Sequence, residues 1–360
     1  MPIPKQKDIR IPLLRILSSS ESIQLKDAYT PLADVFNLSQ EERVKKYPSG
    51  NDIEFENKVR FARQSLINDN YAQSPAKGQL SITELGRNYL NSAEQGDEED
   101  DSDSEYEDLL KYKSQIILQG PPGTGKTRLA KLIAINLIEN NEGEFKIIQF
   151  HPAYSYEDFV RGIVAETTAS GSVSYRVENK ILADFAQKAT DRPNDNFVLI
   201  IDEINRANLP SVLGELIYAL EYRNEPVTSM YEYKGKREIA LPKNLYIIGT
   251  MNTADRSVGH IDYAIRRRFA FIDILPDENV IQNASAKTLF NEIKTLFGNE
   301  FLSPDFKAKD VIIGHSYFLV KDDDELKIKL QFEIKPILRE YLKDGIFLET
   351  ANDKIESLNV

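Results

Sequence analysis

One stretch constrains this chain more than any other. Ser114-Gln115-Ile116-Ile117-Leu118-Gln119 is an apolar run of strand length that leads straight into Gly120-Pro121-Pro122-Gly123-Thr124-Gly125-Lys126-Thr127. The octapeptide fits the pattern G-x-x-x-x-G-K-[ST]. Behind it, after Arg128, Leu129, Leu132, Ile133 and Leu137 recur at a helical period. A glycine-rich turn between a strand and a helix wraps backbone N–H groups around phosphate oxygens, and the helix N-terminus adds its positive dipole end. Gly120, Pro121, Pro122, Gly123, Thr124, Gly125, Lys126, Thr127 and Arg128 are therefore the candidate nucleotide-binding residues. Lys126 is expected at the β- and γ-phosphates and the Thr127 hydroxyl on Mg²⁺. The fold class that follows is α/β, with a phosphate-loop core.

Two further strands belong to the same core. Phe197-Val198-Leu199-Ile200-Ile201 delivers Asp202 and Glu203, as a central parallel strand would at its C-terminal end. Asp202 is expected to hold Mg²⁺ and Glu203 to polarise the attacking water. Leu245-Tyr246-Ile247-Ile248-Gly249-Thr250 runs on into Met251-Asn252-Thr253-Ala254-Asp255. Asn252 at that tip is placed to bridge the γ-phosphate and the lytic water. The N-x-x-D spacing of Asn252 and Asp255 is also one that grips guanine elsewhere. That role is rejected here, because a strand tip facing the γ-phosphate stands far from the base. Arg266-Arg267-Arg268 follow. They read either as a solvated basic face or, in a ring, as the source of an arginine that reaches a neighbour's γ-phosphate, worth about 10³–10⁵ in rate in other systems.

Composition narrows the chemistry. The chain has no cysteine and three widely separated histidines, which excludes disulfides, thiolate zinc sites and a cysteine nucleophile. With 41% hydrophobic residues it can bury cores, and 360 residues suggest two or three domains. No apolar run approaches the ~20 residues that span a bilayer, so a cytoplasmic protein without membrane contact is expected. The net charge of -12 is unevenly spread: residues 91–108 hold ten acidic residues and no basic one. That block reads as a solvated flexible linker, or alternatively as an acidic strip that mimics DNA. The expected domains are 1–90, the linker 91–108, a nucleotide-binding domain 109–275 and a helical lid 276–360.

The N-terminal part is slightly basic, at +2 over residues 1–90. Helices are expected over Ile9–Leu17, around Leu25–Phe36, and over 53–69, where Phe55, Val59, Ala62 and Leu66 share one face. Segments 70–74 and 79–83 flank Pro75-Ala76-Lys77-Gly78 as a hairpin. Helices followed by such a wing make a small α+β winged helix. Lys58, Arg60, Arg63 and Lys77 are its candidate DNA contacts, with the third helix entering a major groove; protein contacts are the other use of such a domain. Two more hairpins are expected, over 163–177 and within 226–241.

The motif series as a whole resembles the McrB family. GPPGTGKT, HPAYSYEDFV (151–160), IIDEINRAN (200–208), GTMNTADRS (249–257), AIRRRF (264–269) and IGHSYF (313–318) carry the likeness over roughly 109–345, and MNTADRS is its most specific element. Residues 9–90 are similar to the Mrr N-terminal domain. The resemblance implies an AAA+ α/β core with a C-terminal helical lid and a Mg²⁺-dependent NTPase in which GTP, more than ATP, is the nucleotide. It further implies a homo-hexameric ring, a McrC-like nuclease partner and work on DNA in restriction or antiviral defence. Carried over by position, Glu203, Asn252 and Asp255 serve the water, and Arg266 or Arg267 serves the subunit interface. GTP preference rests on the resemblance alone. The segment 258–264 contains Gly259 and His260 where the family shows apolar residues, which leaves the choice of arginine open. His315 is either a packed residue or a nucleotide contact. The competing reading is a MoxR-like ATP-dependent remodelling chaperone whose N-domain binds protein; a third is a nucleotide-gated adaptor that barely hydrolyses alone.

Overall fold

The computed structural model describes residues 3–4, 6–47, 52–68, 70–76, 78–94, 102–138, 143–167, 171–255 and 261–360. The N-terminal unit runs α1 (Gln6–Ser18), β1 (Ile23–Gln24), α2 (Leu25–Val35), α3 (Gln40–Arg43), α4 (Glu54–Asn68), β2 (Ala72–Gln73), β3 (Gln79–Ile82) and α5 (Glu84–Glu94). Its strands form an antiparallel sheet in the order β1-β3-β2. The apolar face read from the sequence of α4 is the one it buries: Phe55, Val59, Ala62 and Leu66 pack with Ile9, Leu13 and Leu17 of α1. The short α3 owes its start to a capping box between Ser39 and Glu42.

The acidic stretch departs from the linker expectation at both ends. Residues 91–94 complete α5, and α6 (Ser102–Lys113) begins inside the acidic run; residues 95–101 lie outside the described residues. The physical reason is a short apolar stripe. Leu110 is fully buried, and Tyr106 and Leu109 half-buried, against the apolar side of α7 (Lys126–Ile138). That packing offsets the ordering cost that an all-acidic segment could not meet.

The core continues with β4 (Gln115–Gly120), α7, β5 (Glu144–Gln149), α8 (Tyr156–Phe159), β6 (Arg161–Thr167), β7 (Val173–Asn179), α9 (Ile181–Asp191) and β8 (Phe197–Asp202). After it come α10 (Leu209–Leu213), α11 (Leu216–Glu221), β9 (Val227–Tyr233), β10 (Lys236–Ile239), β11 (Leu245–Asn252), α12 (Tyr263–Arg266) and β12 (Ala270–Asp273). Five strands make one parallel sheet in the order β12-β4-β11-β8-β5. Both faces are covered, which is why its strands read as continuous apolar runs. Ile116, Leu118, Val198, Ile200 and Ile248 pack on the α7 side. Ile117, Leu199, Ile201 and Ile247 pack on the side of α9–α11.

Both expected hairpins are present, as β6–β7 and β9–β10. Buried Arg161 ties them together: its guanidinium donates to the Asn179 side chain and to the carbonyls of Tyr231, Arg237 and Glu238. The lid follows as α13 (Ala284–Lys294), α14 (Ala308–Val311), α15 (Asp323–Lys329), α16 (Lys335–Lys343) and α17 (Ala351–Ser357), around Leu289, Phe290, Phe318, Leu326 and Leu338. Among the described residues no helix is long and apolar enough to cross a membrane.

Candidate active site

Strand register brings the functional tips to one edge. Asn252 on β11 lies opposite Gly120 on β4, and Gln149 on β5 lies opposite Asp202 on β8. The C-terminal edge of a parallel sheet is where such folds bind ligands. β11 lies between β4 and β8, so the third strand's tip separates the glycine loop from the carboxylates.

The loop itself is shaped by its glycines. Gly123 has φ +79°, and a Cβ there would meet Ser316 Oγ and the Tyr317 ring at 2.7 Å. Lys126 is buried, and its ammonium folds back on the loop to donate to Gly120 O at 3.0 Å and Pro121 O at 2.7 Å. Burial pushes its pKa down to about 8, against the pull of Glu203 and Asp202. A lysine so desolvated is ready to take up an anion's negative charge.

Asp202 is the hub of the carboxylate pair. Its Oδ1 accepts from the Thr127 hydroxyl at 2.7 Å and from the Thr250 hydroxyl at 2.6 Å. Thr250, 2% exposed, also accepts from the Glu203 N–H at 3.2 Å. Glu203 itself stands in the left-handed region at φ 53° and ψ 45°, a conformation that costs a non-glycine residue about 1–2 kcal/mol. The turn it starts, Ile204–Arg206, swings Arg206 back towards the carboxylate. Glu203 is thereby held on both oxygens: Asn252 donates to Oε1 at 2.5 Å and Arg206 pairs with Oε2 at 3.3 Å. Arg206 also pairs with Asp255 at 3.3 Å. The structure thus brings Thr127, Asp202, Glu203, Asn252 and Asp255 together. It adds Thr250 and Arg206, which sequence reasoning did not single out. The signal for Arg206 was its place one helical turn after Glu203; Thr250 had none beyond its position two residues before Asn252.

A hydroxyl and a carboxylate beside this glycine loop are hard oxygen donors. They suit Mg²⁺, which takes one or two protein oxygens and completes its shell with phosphate and water. Thr127 and Asp202 would hold it.

The arginines stand at the other end of the sheet. β12 runs parallel to β4 with Ala270 opposite Ile116, so Arg266–Arg268 precede the strand at its N-terminal edge. The length of β4, about 3.3 Å per residue over its span, separates them from this chain's own loop. Arg268 is 8% exposed and bound to Ala264 O at 2.7 Å and to Glu221 at 3.0 Å. Arg267 is exposed and pairs with the same Glu221 at 3.0 Å; Arg266 lies 4.9 Å over the Phe271 ring. Residues 256–260 lie outside the described residues.

The lid closes on the loop through backbone contacts that the sequence did not announce. Gly314 N–H donates to Pro122 O at 2.9 Å and Ser316 N–H to Gly123 O at 3.0 Å. A Cβ on Gly314 would stand 2.0 Å from the Gly123 carbonyl carbon. Thr253 donates to Asp310 O at 2.6 Å, and Lys309 pairs with Asp273 at 2.8 Å.

In the N-terminal unit one expected contact needs correcting. Lys58 is 3% exposed and pairs with Glu54 at 3.2 Å, so it is closed off from a phosphate backbone. The reason is a second packed face on α4: Phe61 packs against the apolar cluster on α7, which α4 touches. Arg60 remains exposed, paired with Asp52 at 2.8 Å, and Arg63 donates to Ser74 Oγ at 2.8 Å. Lys77 lies outside the described residues.

Comparison with known proteins agrees with this architecture. Residues 7–92 match the Mrr N-terminal domain, 115–269 the AAA domain of the dynein-related subfamily, and 293–356 the alpha-helical lid domain of McrB. The Type II restriction enzyme BsuMI component YdiS of Bacillus subtilis (strain 168) is 30% identical over 287 residues, covering 68% of this chain and 81% of the relative. The chain belongs to the McrB family. A second relative, the Type IV methyl-directed restriction enzyme EcoKMcrB subunit of Escherichia coli (strain K12), is 38% identical over 258 residues, covering 65% of this chain and 55% of the relative. The match thus spans about half the length of that relative. Both relatives are components of restriction enzymes. A solved structure of C. elegans PCH-2 aligns at 16% identity and a TM-score of 0.30, over 55% of this chain and 48% of that one.

Proposed function

We propose that this chain is a Mg²⁺-dependent NTPase of a restriction system, using GTP in preference to ATP. It works as a ring subunit, a hexamer, that binds DNA and drives a McrC-like nuclease in antiviral defence. The observation that carries the hydrolytic part is Glu203, whose carboxylate is gripped on both oxygens by Asn252 and Arg206. A general base so oriented, beside Thr127 and Asp202, suits activation of a water for in-line attack on a γ-phosphate. Lys126 and the loop N–H groups hold the phosphates, and Asp255 steadies Arg206. Arg266 or Arg267 acts on a neighbour's nucleotide, which the placement of both at the far edge of the sheet supports. DNA contact falls to the N-terminal winged helix, through Arg60 and Arg63 on α4 and through Lys77. GTP preference, the ring and the nuclease partner rest on kinship with McrB proteins.

The test is turnover of GTP and ATP side by side, with Glu203→Gln as the control. Wild type should favour GTP, and Glu203→Gln should still assemble with nucleotide while losing about 10²-fold or more in turnover. ATP used as well as GTP overturns the preference. Normal hydrolysis by Glu203→Gln overturns the assignment of the base.

A further inference from the structure

We propose that His315 is a nucleotide-binding residue contributed by the lid, its Nε2–H donating a hydrogen bond to the phosphate chain on the Gly125 side of the loop. The inference rests on the reading that this loop binds a nucleotide, and adds to it a contact from a different subdomain.

Three observations carry it. The first is the tautomer. His315 Nδ1 accepts from the Asp277 N–H at 3.1 Å, so in the neutral ring the proton sits on Nε2, which is left as a donor. The second is position. Nε2 stands 3.8 Å from where a Cβ on Gly125 would lie, beside the loop that presents its own N–H groups to phosphate. The third is rigidity. The residues on either side of His315 are fastened to the loop, Gly314 to Pro122 O and Ser316 to Gly123 O. Gly314 permits the approach, since any side chain there would collide with the Gly123 carbonyl carbon at 2.0 Å. A donor pinned at both flanks to the loop it faces is preorganised for whatever acceptor that loop holds, and the acceptors a phosphate loop holds are phosphate oxygens. Burial keeps the imidazole below the usual histidine range, so the neutral tautomer is the one present near neutral pH. The charged groups facing the ring, Asp277 and Arg128, oppose each other and leave that outcome in place.

Two conservative replacements separate a nucleotide contact from a brace. His315→Gln keeps a donor where Nε2 stands but loses the Nδ1 acceptor. His315→Asn keeps an acceptor for the Asp277 N–H but loses the distal donor. Binding of mant-GTP and mant-GDP to the full chain is followed by fluorescence, with the nucleotide-free melting midpoint of each variant as a fold control. The expected result is about tenfold weaker binding of both nucleotides by His315→Asn and His315→Ala, with affinity restored in His315→Gln. Affinity kept by His315→Asn and lost in His315→Gln, with a lowered melting midpoint, makes the residue a brace and overturns the proposal. Unchanged affinity in His315→Ala overturns it as well. If the wild-type chain binds neither probe, the reading of the loop fails instead.

Discussion

Replacing Thr250 with valine removes one hydroxyl from the site and changes its volume little. That hydroxyl holds two groups at once: it donates to Asp202 Oδ1 at 2.6 Å and accepts from Glu203 N–H at 3.2 Å. Thr250 is 2% exposed, so water cannot readily take its place. The loss is therefore a charge-assisted bond plus a backbone N–H left without its partner, together about 2–4 kcal/mol. The functional cost comes through geometry. Glu203 sits in a left-handed conformation that its surroundings must enforce, and the Thr250 hydroxyl anchors the start of that turn. On the role proposed for Glu203, a displacement of its carboxylate by about 1 Å costs on the order of 10²-fold in rate. The assay compares Thr250→Val with Thr250→Ser in NTP turnover and in thermal melting. Serine keeps the hydroxyl and should stay within a fewfold of wild type, whereas valine should lose both turnover and melting temperature. Valine that melts and hydrolyses like wild type refutes the argument that Thr250 orients the carboxylate pair.

Other outcomes follow from the same geometry. Gly314→Ala places a methyl 2.0 Å from the Gly123 carbonyl carbon, so the lid turn must leave the loop and forfeit two backbone bonds; nucleotide affinity measured by fluorescence should fall about tenfold or more. Lys126 titrates near 8 because it is buried, and a bound phosphate chain raises that value by opposing charge. Above about pH 8 binding must therefore take up a proton, so affinity should weaken by up to about tenfold between pH 8 and pH 9 and stay flat below pH 7. Calorimetry in buffers of different ionisation enthalpy would detect the proton taken up.

The position of α4 joins the N-terminal unit to the core. Its core-facing residues match the periodicity of the sequence, while Phe61 on the adjacent face packs against α7, the helix that begins with Lys126 and Thr127. The N-terminal unit therefore leans directly on the helix that carries Lys126 and Thr127. Lys58, placed among the phosphate contacts on charge alone, is enclosed beside this contact and paired with Glu54.

What the sequence determined by itself is local. The glycine loop, the apolar strand ending in Asp202, the strand ending in Asn252, both hairpins and the buried face of α4 were legible because period, chain punctuation and residue chemistry act over a few neighbouring positions. The beginning of α6 within the acidic run was harder to see, because only Tyr106, Leu109 and Leu110 mark it. What the tertiary structure alone decided is which distant residues meet. Insertion of β11 between β4 and β8 gives Glu203 its partner Asn252, and a left-handed residue turns Arg206 back onto both Glu203 and Asp255. The same holds for the lid turn on Pro122 and Gly123, for the arginines at the opposite edge, and for the burial of Lys58. Each of these depends on a hydrogen bond or packed surface between segments far apart in the chain. Such contacts have no period to read, and exist only once the sheet order and the docking of the lid and α4 bring the partners within a few ångströms.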